Sequence, residues 1–169
     1  MSLQALFADT IRDLQRRLAH LEGLEAPLTN IGARVYNSAN IPINNGAVVT
    51  VTFNSERWDT DGIHSTSSNT ERLTAQRTGK YYIWAGIRFS DNGSGFRQLE
   101  VRRNGTTPIA SEIRVPVVTG FGYDMTIATV YDLNAGDYVT LVAYQNSGAN
   151  LNLLAVGNLS PEFLMHRLP

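Results

Sequence analysis

Residues 79–90, "GKYYIWAGIRFS", contain the alternation that decides the fold. Every second position from 81 to 89 is apolar, namely Tyr81, Ile83, Ala85, Ile87 and Phe89. The positions between them mix aromatic, small and charged residues: Tyr82, Trp84, Gly86 and Arg88. Because successive side chains of a β-strand point to opposite faces of its sheet, this stretch predicts a long strand with one face against a core.

Further stretches of the same kind follow along the chain, separated by Gly, Asn and Asp. They are "AVVTVTF" (47–53), "FRQLEVRRNG" (96–105), "YDMTIATVYDL" (123–133), "YVTLVAYQN" (138–146) and "LNLLAVG" (151–157). Strands at roughly ten-residue spacing indicate an antiparallel sandwich or barrel. We therefore predict an all-β jelly-roll sandwich with about eight to ten strands. The Gly-rich "SDNGSG" (90–95) is interpreted as a hairpin loop, since it lies between two strands.

The first 26 residues have a different period, which predicts one amphipathic helix. Its apolar positions are spaced by four, three, four and three, as in a heptad coiled coil: Phe7, Ile11, Leu14, Leu18 and Leu21. Gly23 and Pro27 are stop signals, which gives a helix over 1–26, a linker over 27–32 and a head domain over 33–169. The alternative is a helix lying on its own domain. We favour self-association, although so short a coil needs a second oligomerising unit.

Composition excludes several classes of function. The net charge is −1, so no strong field favours nucleic acid or anionic membrane. The chain has no cysteine, which excludes disulfides and thiol nucleophiles. The N-terminus lacks the pattern of a signal peptide, and no apolar run is long enough for a membrane span. We therefore expect synthesis in the cytoplasm without export.

The sequence contains no recognised catalytic or phosphate-binding motif, so we expect no enzymatic activity. The most suggestive stretch is "WDTDGIH" (58–64). Asp59 and Asp61 before Gly62 are weak candidates for a calcium site, because the remaining ligands of a calcium loop are missing. The simpler interpretation is an Asp-Gly turn at the exit of a strand. Trp58 and His64 are candidates for the rim of a ligand site; buried or interface packing of the aromatic residues is the alternative.

The head resembles a known family. The segment "LTAQRTGKYYIWAGIRF" is similar to the central signature of complement globular-head domains, which are tumour-necrosis-factor-like jelly rolls. The matching residues are Gly79, Tyr81, Ile83 and Phe89, and later Leu133, Gly136, Asp137 and Val139. The resemblance covers roughly residues 33–168 and implies a homotrimer around a threefold axis, with these long strands forming its core and its trimer contacts. The chain departs from the animal members in having no collagen repeat and no cysteine. The "WDTDGIH" stretch, the Gly/Asn-rich loops and the leading helix look more like the phage and bacterial branch.

The resemblance and the leading helix together indicate a function. We expect a non-enzymatic, trimeric structural protein of a phage particle: a head decoration, head fibre or tail-associated protein located in the virion. The helix would contact capsid or tail proteins, and the head would face solvent and adhere to a host-surface glycan or protein. No cofactor beyond the weak calcium candidate is implied. The alternatives are a free-standing, lectin-like carbohydrate- or ligand-binding module and a bacterial surface-filament protein.

Overall fold

The computed structural model describes residue 7 and residues 10–18, 30–116 and 120–169. The chain divides into two compact units, Met1–Asn30 and Ile31–Pro169. In the first unit, residues 7 and 10–18 are helical. The predicted seam residues Phe7, Ile11, Leu14 and Leu18 are all exposed in the single chain. Leu21, the end of the helix and most of the predicted linker lie outside the described residues.

The second unit is the head, and its described residues form twelve strands rather than eight to ten. In chain order they are β1 (Gly32–Tyr36), β2 (Ile41–Ile43), β3 (Val48–Thr50), β4 (Ser55–Asp59), β5 (Arg72–Thr74), β6 (Gly79–Phe89), β7 (Arg97–Arg103), β8 (Thr107–Arg114), β9 (Tyr123–Leu133), β10 (Tyr138–Gln145), β11 (Leu151–Leu153) and β12 (Glu162–Arg167). The additional strands are short, and this is why their periodicity is weak in the sequence.

The strands form two antiparallel sheets. In the first sheet β6 is central: β9 pairs with it along one edge, and β12 and β11 pair with it along the other. The sheet continues from β12 through β1 to β4 and from β11 to β2. In the second sheet β10 is central, between β7, which leads to β8, and the two short strands β3 and β5. This arrangement is the predicted antiparallel jelly-roll sandwich.

The core lies between the two sheets and is built as the alternation predicts. The apolar side of β6 is entirely buried, from Tyr81 to Phe89. Leu141 from β10 and Phe163 from β12 face the same interior. The Phe53 and Phe163 rings stack with centroids 5.6 Å apart. Burial of this apolar surface is the main stabilising contribution to the fold.

Two local predictions were wrong. In both places the chain passes from one sheet to the other, and the sequence pattern does not show this crossing. Residues 47–53 do not form one strand: β3 ends at Thr50 in the second sheet, and β4 begins at Ser55 in the first. The backbone amides of Val51 and Phe53 donate to Leu141 and Thr70 at 2.9 Å during this crossing. Residues 90–95 are also a crossing rather than a hairpin loop, since β6 and β7 belong to different sheets.

Candidate interaction faces of the head

The outer face of the first sheet carries the second set of side chains on β6. Tyr82 lies opposite Val130 of β9 on one side and His166 of β12 on the other. Trp84 lies in the next row, between Ala128 and Leu164. Tyr82 is 38% exposed on the central strand β6, and Val130 is 52% exposed on β9, which lies beyond β6 at the edge of the described sheet. The centre of this face is therefore apolar and aromatic, and Tyr82 and Val130 are its uncovered side chains in the single chain.

Gly86 determines how the Trp84 ring lies on this face. A Cβ atom at Gly86 would be 2.8 Å from the Trp84 ring carbon Cη2 and 3.1 Å from the Leu159 carbonyl oxygen. Because real Cβ atoms essentially never approach so closely, any other residue at this position would push the indole away. The glycine thus lets the indole lie flat across the strand. The sequence shows Gly86 but gives no sign of this contact.

Ion pairs lie at both ends of the apolar rows. At one end the Arg88 guanidinium donates to both carboxylate oxygens of Asp124, each at 2.6 Å. At the other end the Lys80 ammonium donates to Asp132 at 3.1 Å. Each pair is complete within one chain. The face therefore has an apolar centre and a polar margin, as protein interfaces commonly do.

A buried carboxylate lies beside this face. Glu162 of β12 is 0% exposed. One of its oxygens accepts from Arg34 Nε at 2.6 Å, and the other accepts from Arg57 Nε at 3.0 Å and Arg57 Nη2 at 2.8 Å. The two arginines also donate to the carbonyls of Asn158 and Gly157, at 3.1 and 2.7 Å. This network ties β1, β4 and β12 to the loop before β12.

Stacking fixes the two guanidinium groups further. The Arg57 guanidinium lies 3.7 Å from the centroid of the Tyr36 ring, and that of Arg34 lies 5.8 Å from the Trp84 ring. Sequence reasoning did not find this network, because its members are separated by more than one hundred residues.

The signature residues of the family resemblance lie mainly inside the head. Tyr81, Ile83, Phe89, Leu133 and Val139 are buried in the core. The Tyr81 hydroxyl donates to the Arg77 carbonyl oxygen at 2.7 Å, and burial raises the pKa of the phenol above its ordinary value. These five side chains support the sandwich itself and do not form its outer face.

The remaining signature residues are at strand ends. Gly79 leaves room for Arg167, since a Cβ atom there would be 2.7 Å from Arg167 Nε. Gly136, with φ of +90°, forms the turn between β9 and β10. Asp137 accepts from Asn104 Nδ2 at 2.7 Å and from the Asn134 amide at 2.9 Å, and these two bonds lower the pKa of its carboxyl group. They tie the β7–β8 turn to the start of β10.

The "WDTDGIH" stretch leaves β4 and enters a turn. Asp59 accepts hydrogen bonds from the amides of Asp61 at 3.1 Å and His64 at 2.9 Å. Asp61 pairs instead with Arg77 at 3.4 Å. No group of three or more His, Cys, Asp or Glu side chains in the described parts of the chain is arranged to hold a metal ion. The hydrogen bonds of Asp59 are those of a turn, and the calcium site stays a weak prediction.

The structure places the two rim candidates, Trp58 and His64, differently from each other. The Trp58 ring is half-buried and lies over Gly32, with its edge near His166 at a centroid distance of 6.4 Å. The His64 side chain is 0% exposed. Its ring nitrogens face Glu56 Oε1 at 2.9 Å and the Thr70 carbonyl oxygen at 3.2 Å. His64 therefore supports the loop from inside and does not line an exposed rim.

Comparison with known proteins gives the class of fold. No model of a known protein family matches the chain, and no curated protein matches it significantly. Among solved structures, murine APRIL, crystallised at pH 5.0, is similar with a TM-score of 0.59 and 17% identity over 82% of this chain and 99% of that one. Eiger TNF from S. frugiperda gives a TM-score of 0.55 and 14% identity over 83% and 94% of the two chains.

The head thus has a tumour-necrosis-factor-like jelly-roll fold. At this identity the likeness concerns the fold alone. It confirms the architecture predicted from the alternating strands. The narrower resemblance to complement globular heads of phages and bacteria stays a prediction. No helix in the described residues is both long enough and apolar enough to cross a membrane.

Proposed function

We propose that the protein is a non-enzymatic, homotrimeric structural protein of a phage particle, in which the outer face of the first sheet forms the contact between subunits. The observation that carries the proposal is the apolar group on the outer face of β6, β9 and β12, in which Tyr82 and Val130 are exposed and Trp84 and Leu164 are partly buried. Burial of this apolar surface in a contact between subunits lowers the free energy, because it removes the surface from water. Contiguous aromatic patches rimmed by polar residues are typical of interaction sites.

The helix supports the same assembly. Its four described seam residues are exposed in the single chain, at the spacing that a coiled coil needs. A helix of this length is marginal alone. If the heads associate, they hold the helices of that assembly at a high effective concentration. Association of the helices would likewise raise the effective concentration of the heads. Two weak contacts on one chain therefore favour one closed assembly.

Three subunits are proposed because of the geometry implied by the fold resemblance. In this contact one copy uses the part of the face around Tyr82 on β6 and β9, and its neighbour uses the part on β12 and β1. Because two different patches meet, the contact is heterologous. A heterologous contact that closes after three copies forms a ring. The satisfied Arg88–Asp124 and Lys80–Asp132 pairs would lie at its margins.

The place of this trimer in a phage particle rests on the leading helix and on the resemblance to the phage and bacterial branch that the sequence alone predicts. In this proposal the helix binds a capsid or tail protein, as part of a head decoration, a head fibre or a tail-associated protein. The head points to solvent in the virion and adheres to a host surface.

The first test is the oligomeric state. Light scattering after gel filtration should give three times the chain mass of 18.6 kDa. Val130→Glu should shift the protein toward monomer, because it places a charge in the apolar row. Ile113→Glu is the matched control: Ile113 is 59% exposed on β8, in the second sheet, and the change should leave the trimer intact. A monomeric wild-type protein at micromolar concentration would refute the trimer.

The second test concerns the particle. Removal of residues 1–26 should leave a folded, trimeric head that no longer attaches to purified particles. The intact protein should be found in those particles by mass spectrometry. A protein that is absent from particles, or a shortened head that still attaches, would contradict the proposed role of the helix.

A further inference from the structure

We propose that the outer face of the second sheet is a carbohydrate-binding cleft, centred on Thr140 and lined also by Thr50, Thr52, Glu71, Arg72 and Tyr138. The inference extends the adhesive role proposed above. It rests on that proposal in one respect, that the glycan bound belongs to a host surface. The cleft is on the opposite sheet from the proposed subunit contact. Trimer formation through the first sheet would therefore leave it accessible.

The cleft is built by three strands and has room for a sugar ring. Its volume is about 320 Å³, within the range of small-molecule sites. Tyr138 and Thr140 lie on the outer side of β10, because Val139 and Leu141, which alternate with them, are buried in the core. Arg72 of β5 is the direct neighbour of Thr140. Thr50 of β3 lies opposite Val142, one outward position further along β10.

Thr140 supplies the observation that points to a ligand. It is 3% exposed and lines the cleft. Its hydroxyl oxygen has no hydrogen-bond partner within the described parts of the chain. Buried polar groups are nearly always satisfied, because leaving one without a partner is unfavourable. The hydroxyl oxygen is itself enclosed, so a ligand hydroxyl would pair with it when the Thr140 side chain turns toward the cleft on binding.

The other groups suit a polyhydroxylated, uncharged ligand. Glu71 accepts from Arg72 Nε at 3.0 Å, so the two charges cancel within the cleft. The Arg72 guanidinium is stacked 4.2 Å from the centroid of the Tyr138 ring, which holds its remaining donors in a fixed plane. The cleft therefore combines carboxylate acceptors, guanidinium donors and hydroxyls without a net charge. This combination favours a neutral saccharide over an anionic one.

A second, adjoining cavity extends the cleft along the same strand. It has a volume of about 190 Å³ and is lined by Val48, Gln98, Glu100, Arg102, Val142 and Tyr144. Here again a carboxylate and a guanidinium neutralise each other, since Glu100 and Arg102 are 2.6 Å apart. Tyr144 packs on Phe96 with centroids 5.4 Å apart and ends the row with an aromatic surface.

The two cavities together favour an oligosaccharide over a single sugar. Tyr138, Thr140, Val142 and Tyr144 share one side of β10; the two tyrosines are partly exposed, and Thr140 and Val142 between them are each 3% exposed. At about 3.4 Å per residue, this row is about 20 Å long. Aromatic side chains near both ends and polar groups between them match alternating apolar and hydroxyl surfaces along a glycan chain.

The experiment uses the full chain on an array of neutral and acidic oligosaccharides, followed by titration calorimetry with the best neutral binder. Glu71→Gln and Thr140→Val should each weaken binding at least tenfold. Thr140→Val should leave the melting temperature unchanged or raise it, because it removes a hydroxyl that has no partner. Glu112→Gln is the matched control, since Glu112 also pairs with an arginine (Arg114) but lies outside the cleft. It should bind as the wild type does.

Three results with glycans would overturn the cleft: a blank array, binding that both cleft variants retain, or binding confined to acidic glycans. Binding to a host protein that survives removal of its glycans would also overturn it. The proposed function fails separately. A monomer that is absent from particles but binds a neutral glycan through Thr140 would refute the structural role and support the cleft. A particle-bound trimer that ignores glycans would do the reverse.

Discussion

Replacing Glu162 by Gln tests whether the buried carboxylate stabilises the head through its two arginines. The change keeps the shape of the side chain and removes its charge. One oxygen accepts from Arg57 twice, and the other accepts from Arg34 at 2.6 Å. In Glu162→Gln, one of these oxygens becomes an amide group that donates. If it faces Arg34 Nε, two donors meet and the hydrogen bond is lost.

The magnitude follows from burial and from the number of bonds. A hydrogen bond to a charged group contributes about 1.5–3 kcal/mol, and breaking a buried ion pair costs about 3–5 kcal/mol. Here the arginine side chains are 34% and 28% exposed, so water can partly replace the lost partner. We therefore expect a loss of about 2–4 kcal/mol in the free energy of unfolding. For a chain of this size that is a fall of about 4–16 °C in melting temperature.

The assay is urea unfolding at pH 7, followed by tryptophan fluorescence and by circular dichroism. Wild type and variant must be compared at one protomer concentration, because assembly contributes to apparent stability. Glu112→Gln serves as the control for loss of one carboxylate charge at the surface and should leave the midpoint unchanged. A Glu162→Gln variant that loses less than about 1 kcal/mol would show that the network contributes little, and the reasoning would be refuted.

Three further predictions test local contacts. Gly86→Val should weaken trimer formation in light scattering more than it lowers the stability of the head, because it displaces the Trp84 ring; an unchanged trimer would contradict this role. Asn104→Ala should raise the pKa of Asp137 toward its ordinary value of 3.8, measured by NMR titration of the carboxyl carbon. Because folding lowers this pKa, the ionised carboxyl group stabilises the wild-type head above pH 3.8, and this stabilisation is lost as the pH falls through the folded-state pKa. The free energies of unfolding of wild type and Asn104→Ala should therefore converge on acidification, and a difference that grows would contradict this. Arg97→Lys should lower the melting temperature and speed amide exchange at residues 92–96, because the buried guanidinium donates to the carbonyls of Asn92, Ser94 and Phe96 and lysine cannot reach all three; unchanged exchange would count against it.

Much of the fold was predictable, because alternation records which side of a strand meets the core. β6, β9 and β10 begin and end within one residue of the stretches predicted for them. The turn at Asn104 and Gly105 was also predictable, since both residues take positive φ there, 51° and 75°. What alternation cannot record is a change of sheet. Val51 and Phe53 keep the apolar pattern of β3 although the chain is already crossing to the first sheet.

The candidate sites were less predictable for a related reason. Tyr82 and Trp84 were visible as the second side of β6, but their partners Val130 and Leu164 are joined to them only by strand pairing. The Glu162 network and the Thr140 cleft each combine residues from three strands that are far apart in the chain. His64 illustrates the opposite error: a histidine beside two aspartates looked accessible in the sequence, yet it is enclosed by Glu56 and Thr70.

The two-sided character of β6 also constrains how the gene encoding this chain can change. Odd-numbered positions from 81 to 89 fill the core, and even-numbered positions form the face proposed for assembly. Insertion or deletion of one codon in this stretch would exchange the two sets, so that aromatic and charged side chains would enter the core while Ile83 and Ile87 moved to the surface. Insertions and deletions in this strand should therefore be tolerated only when they add or remove an even number of residues. The loops at its ends can change length by an odd or an even number.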